Sequence, residues 1–79
     1  MPVHLVIGAS GGIGAALVRR LRERGSVVYG MARDADRLAV LAENTGMRPI
    51  FGDATAPGVL DDAVQRVLAE QDRVDGLVC

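Results

Sequence analysis

Ile7-Gly8-Ala9-Ser10-Gly11-Gly12-Ile13-Gly14 is the stretch of the chain that decides its fold. Four of the ten glycines lie in it, an apolar run (residues 3–7) precedes it, and a helical pattern (residues 13–24) follows it. A strand that turns through glycine into a helix brings several backbone N–H groups and the positive end of a helix dipole to one point. The stretch therefore predicts a phosphate-binding site, and our first hypothesis for its ligand is a dinucleotide.

The composition narrows the class of protein. With 79 residues, of which 49% are hydrophobic and 24% charged, the chain is long enough for one small ordered domain. A net charge of −1 without a basic block gives no electrostatic reason to expect nucleic acid or an anionic membrane surface. No apolar run approaches the roughly 20 residues of a membrane span. The N-terminus lacks a charged region followed by an apolar signal core, so we do not expect export. Because the single cysteine, Cys79, has no partner for a disulfide, we expect a cytoplasmic protein.

The basic residues exclude several kinds of chemistry. All nine are arginine, so these 79 residues contain no phosphate-loop lysine, no Schiff-base lysine and no lysine that tunes a catalytic tyrosine. His4 has no partner histidine and no cysteine cluster at metal-ligand spacing. We therefore predict a packed histidine at this position and no metal site.

The apolar pattern alternates between the periods of strands and helices. Strands are predicted at residues 3–7, 27–32, 48–52 and 74–79, with the third at a sheet edge because Pro49 lacks an N–H group. The short connections predict an α/β fold, a partial, Rossmann-type doubly wound parallel sheet with strand order 3-2-1-4 and helices on both faces. We expect residues 1–79 to be the N-terminal part of a single domain of this type.

The same pattern predicts how the three helices begin and which faces they bury. The first is expected to bury residues 13, 17 and 21 with residue 16 beside them, and the third residues 60, 64, 67 and 68. Asp34 or Asp36 is expected to cap the second helix, which ends near Gly46. Thr55 is expected to cap the third, with Pro57 in its first turn.

The glycine spacing carries a resemblance to a known family. Gly8, Gly12 and Gly14 follow neither G-x-G-x-x-G nor a Walker loop. Their G-x-x-x-G-x-G pattern resembles the short-chain dehydrogenase/reductase family, whose usual form places threonine where Ile7 stands here. The resemblance covers all 79 residues and implies an NAD(P)-binding domain. Its implied cofactor-binding residues in this stretch are Gly8, Ser10, Gly11, Gly12, Ile13 and Gly14. The alternative is a glycine-rich connection without a ligand.

The end of the second strand bears on which cofactor is bound. An acid is expected there to accept hydrogen bonds from a free ribose 2′-hydroxyl, but Ala32 stands in its place and Arg33 follows. A guanidinium can pair with a 2′-phosphate through two parallel hydrogen bonds. In the family that this sequence resembles, such an arrangement accompanies NADP(H), so we predict NADP(H) over NAD(H). The alternative is a surface arginine at the end of a strand.

Asp53 and Ala54 follow the third strand. The resemblance implies that an aspartate here hydrogen-bonds the adenine amino group and that the backbone of the next residue assists. The alternative, which is compatible with the first role, is that Asp53 is a turn residue or a helix cap.

The resemblance implies an NADP(H)-dependent oxidoreductase that moves hydride between the nicotinamide and a carbonyl or alcohol. The family's catalytic serine and Tyr-x-x-x-Lys are absent, and the spacing of Tyr29 and Arg33 is a coincidence inside the second strand, so no catalytic residue is predicted here. We expect these residues to be the N-terminal portion of a longer protein that acts on a small-molecule substrate. The sequence leaves open whether that protein forms a homo-oligomer. The alternatives are a non-catalytic NAD(P)-binding or regulatory module and an inactive truncated fragment.

Overall fold

The computed structural model describes residues 1–79, in which strands and helices alternate as predicted. Each predicted element is present, although some of the ends differ. In chain order the elements are β1 (Val3–Ile7), α1 (Gly12–Glu23), β2 (Val27–Ala32), α2 (Ala35–Thr45), β3 (Arg48–Phe51), α3 (Val59–Gln71) and β4 (Gly76–Val78).

The four strands form one parallel sheet in the order β3-β2-β1-β4. The chain first moves from β1 outward through β2 to β3, and it then crosses to the other side of β1 to add β4. This confirms the predicted strand order and the doubly wound topology. Pro49 lies on the edge strand β3 opposite Gly30, as its missing N–H group predicts.

Alternate side chains of the central strands enter two separate cores on the two faces of the sheet. On β1, for example, Val6 points into the core beneath α1 and α2, and Leu5 points into the core beneath α3. The first core is formed by Val6, Ala9, Val18, Val28, Ala32, Leu38, Leu41 and Met47. The second is formed by Val3, Leu5, Tyr29, Met31, Ala63 and Val67. Because α1 and α2 cover one face and α3, which leads to the other side of β1, covers the opposite face, a crevice opens at the carboxyl ends of β1 and β4.

The buried faces of α1 and α3 differ in part from the predicted ones. Leu17 and Leu21 pack on the core as expected, but Val18 is the fully buried residue of α1, and Ile13 is 91% exposed. Ala16 is also exposed. In α3 the predicted set omits Ala63, which is buried beside Val67, and includes Leu68, which is exposed.

The start of α3 corrects the predicted cap. The helix begins at Val59 after Gly58, whose φ of 79° lies in the left-handed region. Thr55 and Pro57 both precede the helix, and the polar groups of Thr55 bind Asp53 instead of the helix end. The predicted cap at Thr55 and first-turn position for Pro57 were therefore wrong.

The ends of α2 are capped at both termini. Asp34, one of the two expected caps, accepts a hydrogen bond of 3.1 Å from the backbone N–H of Arg37. At the other end Gly46 has a φ of 77° and its backbone N–H donates to the Ala42 carbonyl, while the Arg22 side chain of α1 donates to the Thr45 carbonyl at 2.9 Å.

None of the three helices combines the length and the apolar composition needed to cross a membrane.

Two polar contacts tie distant elements to the sheet. The hydroxyl of Tyr29, whose ring is fully buried on β2, donates to the Glu70 carboxylate at the end of α3. Asp75 joins β4 to β1, because its backbone N–H donates to the Val3 carbonyl and its carboxylate accepts from the Val3 N–H, at 2.8 and 2.7 Å. The Arg73 guanidinium pairs with the same carboxylate.

Candidate functional site

The glycine stretch forms a loop that is fastened to the end of β2. The N–H groups of Gly8 and Ala9 both donate to the Met31 carbonyl, at 2.9 and 3.1 Å. Gly8 makes this turn with a φ of 78°, which side-chain-bearing residues rarely adopt. The loop is therefore held in one place by main-chain contacts.

The glycines of the loop differ in what would happen if they carried a side chain. A Cβ atom on Gly14 would overlap the Gly8 carbonyl oxygen, so the close approach of α1 to the loop requires glycine. A Cβ on Gly12 would meet nothing within 4 Å, and one on Gly11 would make only an ordinary contact at 3.6 Å. Packing therefore explains Gly14 but not Gly11 or Gly12, whose bare main chain is accessible from outside.

The N-terminus of α1 has open hydrogen-bond donors. The first bond of the helix runs from Ala15 N–H to Gly11 O at 2.7 Å, which leaves the N–H groups of Gly12, Ile13 and Gly14 without an intrahelical acceptor. No side chain caps the helix, and no acidic residue lies in its first turn. Because these donors coincide with the positive end of the helix dipole, the loop fits an anion such as a phosphate group.

A cleft of about 480 Å³, here called the β2 cleft, lies on one side of the loop. Its walls come from the loop, from the end of β2 and from the segment after β3. Its lining residues are Ile7, Gly8, Ser10, Gly11, Met31, Ala32, Arg33, Asp34, Gly52, Asp53, Ala54 and Thr55.

A second cleft of about 430 Å³, the β4 cleft, lies on the other side of the loop. It contains the rest of the predicted site, Gly12, Ile13 and Gly14, together with Val78 and Cys79 at the end of β4. The exposed side chain of Ile13, expected in the core, lies here. The two clefts share Ile7, Gly8 and Gly11, so the structure brings all nine predicted residues to one continuous region.

Two charged side chains face each other in the β2 cleft. Arg33 Nη1 lies 4.0 Å from Asp53 Oδ2, and the Arg33 side chain is 79% exposed. An exposed ion pair at this distance contributes little to stability, so the guanidinium is available to another anion.

Asp53 is held by the residue two positions later. Its Oδ1 atom accepts hydrogen bonds from the Thr55 hydroxyl at 2.6 Å and from the Thr55 backbone N–H at 2.9 Å. These two bonds, assisted by the charge of Arg33, lower the pKa of the Asp53 carboxyl below its ordinary value despite partial desolvation. Asp53 is therefore a turn residue, one of its two predicted alternatives, and its carboxylate is an acceptor only.

Sequence reasoning missed Thr55 as a residue of the cleft. The Asp-x-Thr spacing was the available signal, because an aspartate commonly accepts hydrogen bonds from the residue two positions on. The preference of threonine for helix caps led instead to the prediction of a cap.

The remaining polar candidates lie away from the clefts. The Tyr29 ring is buried beneath α3 and its hydroxyl contacts Glu70, so this tyrosine has a structural place. No three histidine, cysteine or acidic side chains form a cluster that could hold a metal ion.

Comparison with known proteins identifies relatives over nearly the whole chain. A family model described as short chain dehydrogenase matches residues 2–79. The 3-ketodihydrosphingosine reductase of Bacteroides thetaiotaomicron is 35% identical over 77 residues, which cover 96% of this chain and 26% of the reductase. The chain spans only about a fifth to a third of the length of the curated relatives it matches.

Solved structures agree with this similarity. A metagenomic short-chain oxidoreductase in complex with NADP matches with a TM-score of 0.89 and 31% identity, over 96% of this chain and 37% of that one. The 3-ketoacyl-(acyl-carrier-protein) reductase from Brucella melitensis, complexed with NADH, matches with a TM-score of 0.88 and 26% identity, over 96% of this chain and 32% of that one. The glycine spacing, the strand order and the family match over residues 2–79 all agree. The chain therefore belongs to the short-chain dehydrogenase/reductase family.

Proposed function

We propose that residues 1–79 form the adenosine- and pyrophosphate-binding part of a nicotinamide dinucleotide-dependent oxidoreductase, with NADP(H) as the preferred cofactor. The observation that carries the preference is the exposed guanidinium of Arg33 in the β2 cleft, next to Ala32, whose side chain has no acceptor for a 2′-hydroxyl. Among the related structures one contains NADP and another NADH, so the preference rests on this chain's own residues.

The loop would bind the pyrophosphate. The free N–H groups of Gly12, Ile13 and Gly14 supply donors, and the bare backbone of Gly11 and Gly12 allows close approach. Ser10, in the same loop, lines the β2 cleft and adds a hydroxyl. No basic side chain is required, which is consistent with a loop that lacks lysine.

Arg33 would bind the 2′-phosphate. Its ion pair with Asp53, at 4.0 Å in an exposed position, is weak. Two parallel charge-assisted hydrogen bonds to a phosphate are stronger, so the guanidinium gains by turning to the ligand. NAD(H) offers no such partner.

Asp53 and Ala54 would bind the adenine. A carboxylate held in its ionised form accepts hydrogen bonds, and the exocyclic amino group of adenine donates them. The backbone of Ala54, which lines the same cleft, adds a main-chain contact.

When bound, the nicotinamide ring supplies hydride exchange with a carbonyl or alcohol substrate. The residues of this chain bind and orient the cofactor, and we propose that the serine, tyrosine and lysine that act on the substrate lie outside residues 1–79. The small-molecule substrate, a cytoplasmic location and assembly into a homo-oligomer belong to the same proposal.

A non-catalytic nucleotide-binding module is the second candidate. It accounts for the same residues as the first proposal, because Tyr29 is buried and residues 1–79 contain no lysine, so cofactor binding is the only role that both candidates assign to them. The non-catalytic module would bind the cofactor without turnover. Oxidation of NADPH by the complete protein, measured with a panel of carbonyl compounds, would therefore support the oxidoreductase and exclude the non-catalytic module.

The cofactor proposal is tested by calorimetric titration of the complete protein with NADPH and NADH. Arg33→Asp should weaken NADPH binding by about tenfold or more, since a hydrogen bond to a charged group contributes about 1.5–3 kcal/mol. NADH binding should change little. Arg20→Asp is the matched control, because it alters net charge equally in the last turn of α1, at the other end of the helix from the loop.

The outcomes separate two failures. Equal losses of NADPH and NADH affinity in Arg33→Asp would overturn the assignment of the 2′-phosphate to Arg33. A wild-type protein that binds neither nucleotide would overturn the dinucleotide site itself.

A further inference from the structure

We infer that Thr55 is a positioning residue for the adenine end of the cofactor. By holding one carboxylate oxygen of Asp53, it directs the other toward the ligand and keeps it apart from Arg33. This inference rests on the proposed function, because it assigns a role within the same cleft.

The geometry divides the two oxygens of Asp53 between two tasks. Oδ1 accepts both the hydroxyl and the backbone N–H of Thr55, at 2.6 and 2.9 Å. Oδ2 has no hydrogen-bond donor, and its nearest cation is Arg33 Nη1 at 4.0 Å. Both Asp53 and Thr55 line the β2 cleft, so the free oxygen lies where a ligand can reach it.

Without the Thr55 hydroxyl, only the backbone N–H at position 55 would orient the carboxylate. The terminal torsion of aspartate has broad minima, so a carboxylate on an exposed segment rotates readily. Two donors on one oxygen fix the plane of the group. A base then meets an oxygen whose lone pairs are already oriented, and less rotational freedom is lost when it binds.

Thr55 also opposes a competing contact. Asp53 and Arg33 have opposite charges and sit at the outer limit of an ion pair, at 4.0 Å. A carboxylate released from the Thr55 hydroxyl could close this gap and form a direct hydrogen-bonded pair. Such a pair would occupy the groups proposed for the adenine and for the 2′-phosphate. Thr55 therefore keeps both of them available.

The inference predicts that the cleft prefers adenine to hypoxanthine. The amino group of adenine donates to a carboxylate oxygen, whereas hypoxanthine presents a carbonyl oxygen at the same position. Two acceptors facing each other leave the carboxylate unpaired, which is unfavourable in a partly enclosed cleft. A residue that merely shapes the turn would affect stability but not this preference.

The experiment compares NADPH with its deaminated analogue, the reduced nicotinamide hypoxanthine dinucleotide phosphate, by titration of the complete protein. Wild type should prefer NADPH by about tenfold, the size expected for one hydrogen bond to a charged group. Thr55→Val, which keeps the branched shape but removes the hydroxyl, should reduce the preference to about two- or threefold. Thr55→Ser should restore it. Each preference is a ratio within one variant, so partial loss of folded protein does not alter it.

Three results would contradict the inference, and they differ in meaning. Thr55→Ala serves as a second variant, because it lacks the methyl group that valine places where the hydroxyl was. If both Thr55→Val and Thr55→Ala retain the full preference for NADPH, Thr55 does not position Asp53. If wild type shows no preference, the free oxygen of Asp53 does not contact the amino group. If wild type binds neither nucleotide, the proposed function fails as well.

Discussion

Gly14 lies so close to Gly8 that a Cβ atom on Gly14 would overlap the Gly8 carbonyl oxygen. The contact is between two main-chain segments, and neither can rotate away as a side chain would. Gly8 itself is held by its hydrogen bond to the Met31 carbonyl at 2.9 Å. The position of α1 relative to β1 is therefore set by the absence of one methyl group.

Gly14→Ala should destabilise the fold and impair the loop. Overpacking of a tight contact typically costs about 1–3 kcal/mol, and here the obstructing atom belongs to the backbone. We expect a lower urea midpoint together with weaker NADPH binding, because relief of the overlap moves the N-terminus of α1. An unchanged urea midpoint would show that α1 can move away from the loop without a loss of stability.

Gly12→Ala provides the matched comparison within the same turn. Its Cβ would meet no atom of the protein within 4 Å. Alanine is favoured over glycine inside helices by roughly 0.5–1 kcal/mol, and the gain at the first position of α1 should not exceed this value. We expect stability to be equal to or slightly above wild type, while NADPH binding weakens because a methyl group blocks the approach to the free N–H groups. Undiminished binding, measured by calorimetry alongside urea unfolding, would place the phosphate elsewhere.

Tyr29→Phe should reduce stability without affecting the cofactor. The change removes the hydrogen bonds that join the hydroxyl to Glu70 and Gln71, which together contribute about 1–2 kcal/mol, and it leaves the buried ring in place. Chemical unfolding should report this loss, and both the NADPH affinity and the kcat of the complete protein should match wild type. A large fall in kcat would instead assign a catalytic role to this tyrosine.

Asp75 should give the protein part of its sensitivity to acid. Hydrogen bonds from Arg73 and from the Val3 N–H hold the pKa of this carboxyl below its ordinary value of 3.8. A group whose folded pKa is depressed stabilises the fold above its unfolded pKa, and this contribution is lost as the pH falls through the folded value. The unfolding free energy of wild type should therefore drop as the pH falls below about 4.

Asp75→Asn tests this pH dependence. Urea unfolding at a series of pH values should give a shallower fall below pH 4 than in wild type, and Arg73→Gln should also flatten the curve because it removes the main cause of the shift. Parallel acid curves for all three proteins would mean that other carboxylates determine the loss of stability.

Local signals in the sequence were sufficient for the elements and their order. The apolar run at residues 3–7 and the glycines after it predicted β1 and the loop, and the lack of an N–H group at Pro49 placed β3 at the edge. The spacing of Gly8, Gly12 and Gly14 also predicted which segment would face the crevice. Each of these features is set by residues adjacent in the chain.

Features that depend on distant partners were not predictable in the same way. The i, i+4 spacing of residues 13, 17 and 21 fits two adjoining helix faces, and only the position of the sheet selects the one that buries Val18 and exposes Ile13. The contact of Tyr29 with Glu70 joins residues 41 positions apart, and no local pattern encodes it.

Arg33 takes almost no part in holding the fold together. Its side chain projects from the end of β2 with a single long ionic contact, while Ala32 and the cap residue Asp34 secure the backbone on either side. Exchange of this one side chain for an acid should therefore leave the unfolding free energy nearly unchanged. If Arg33 binds the 2′-phosphate as proposed, evolution or an engineer could then exchange NADP(H) for NAD(H) at this position without a compensating mutation in the core.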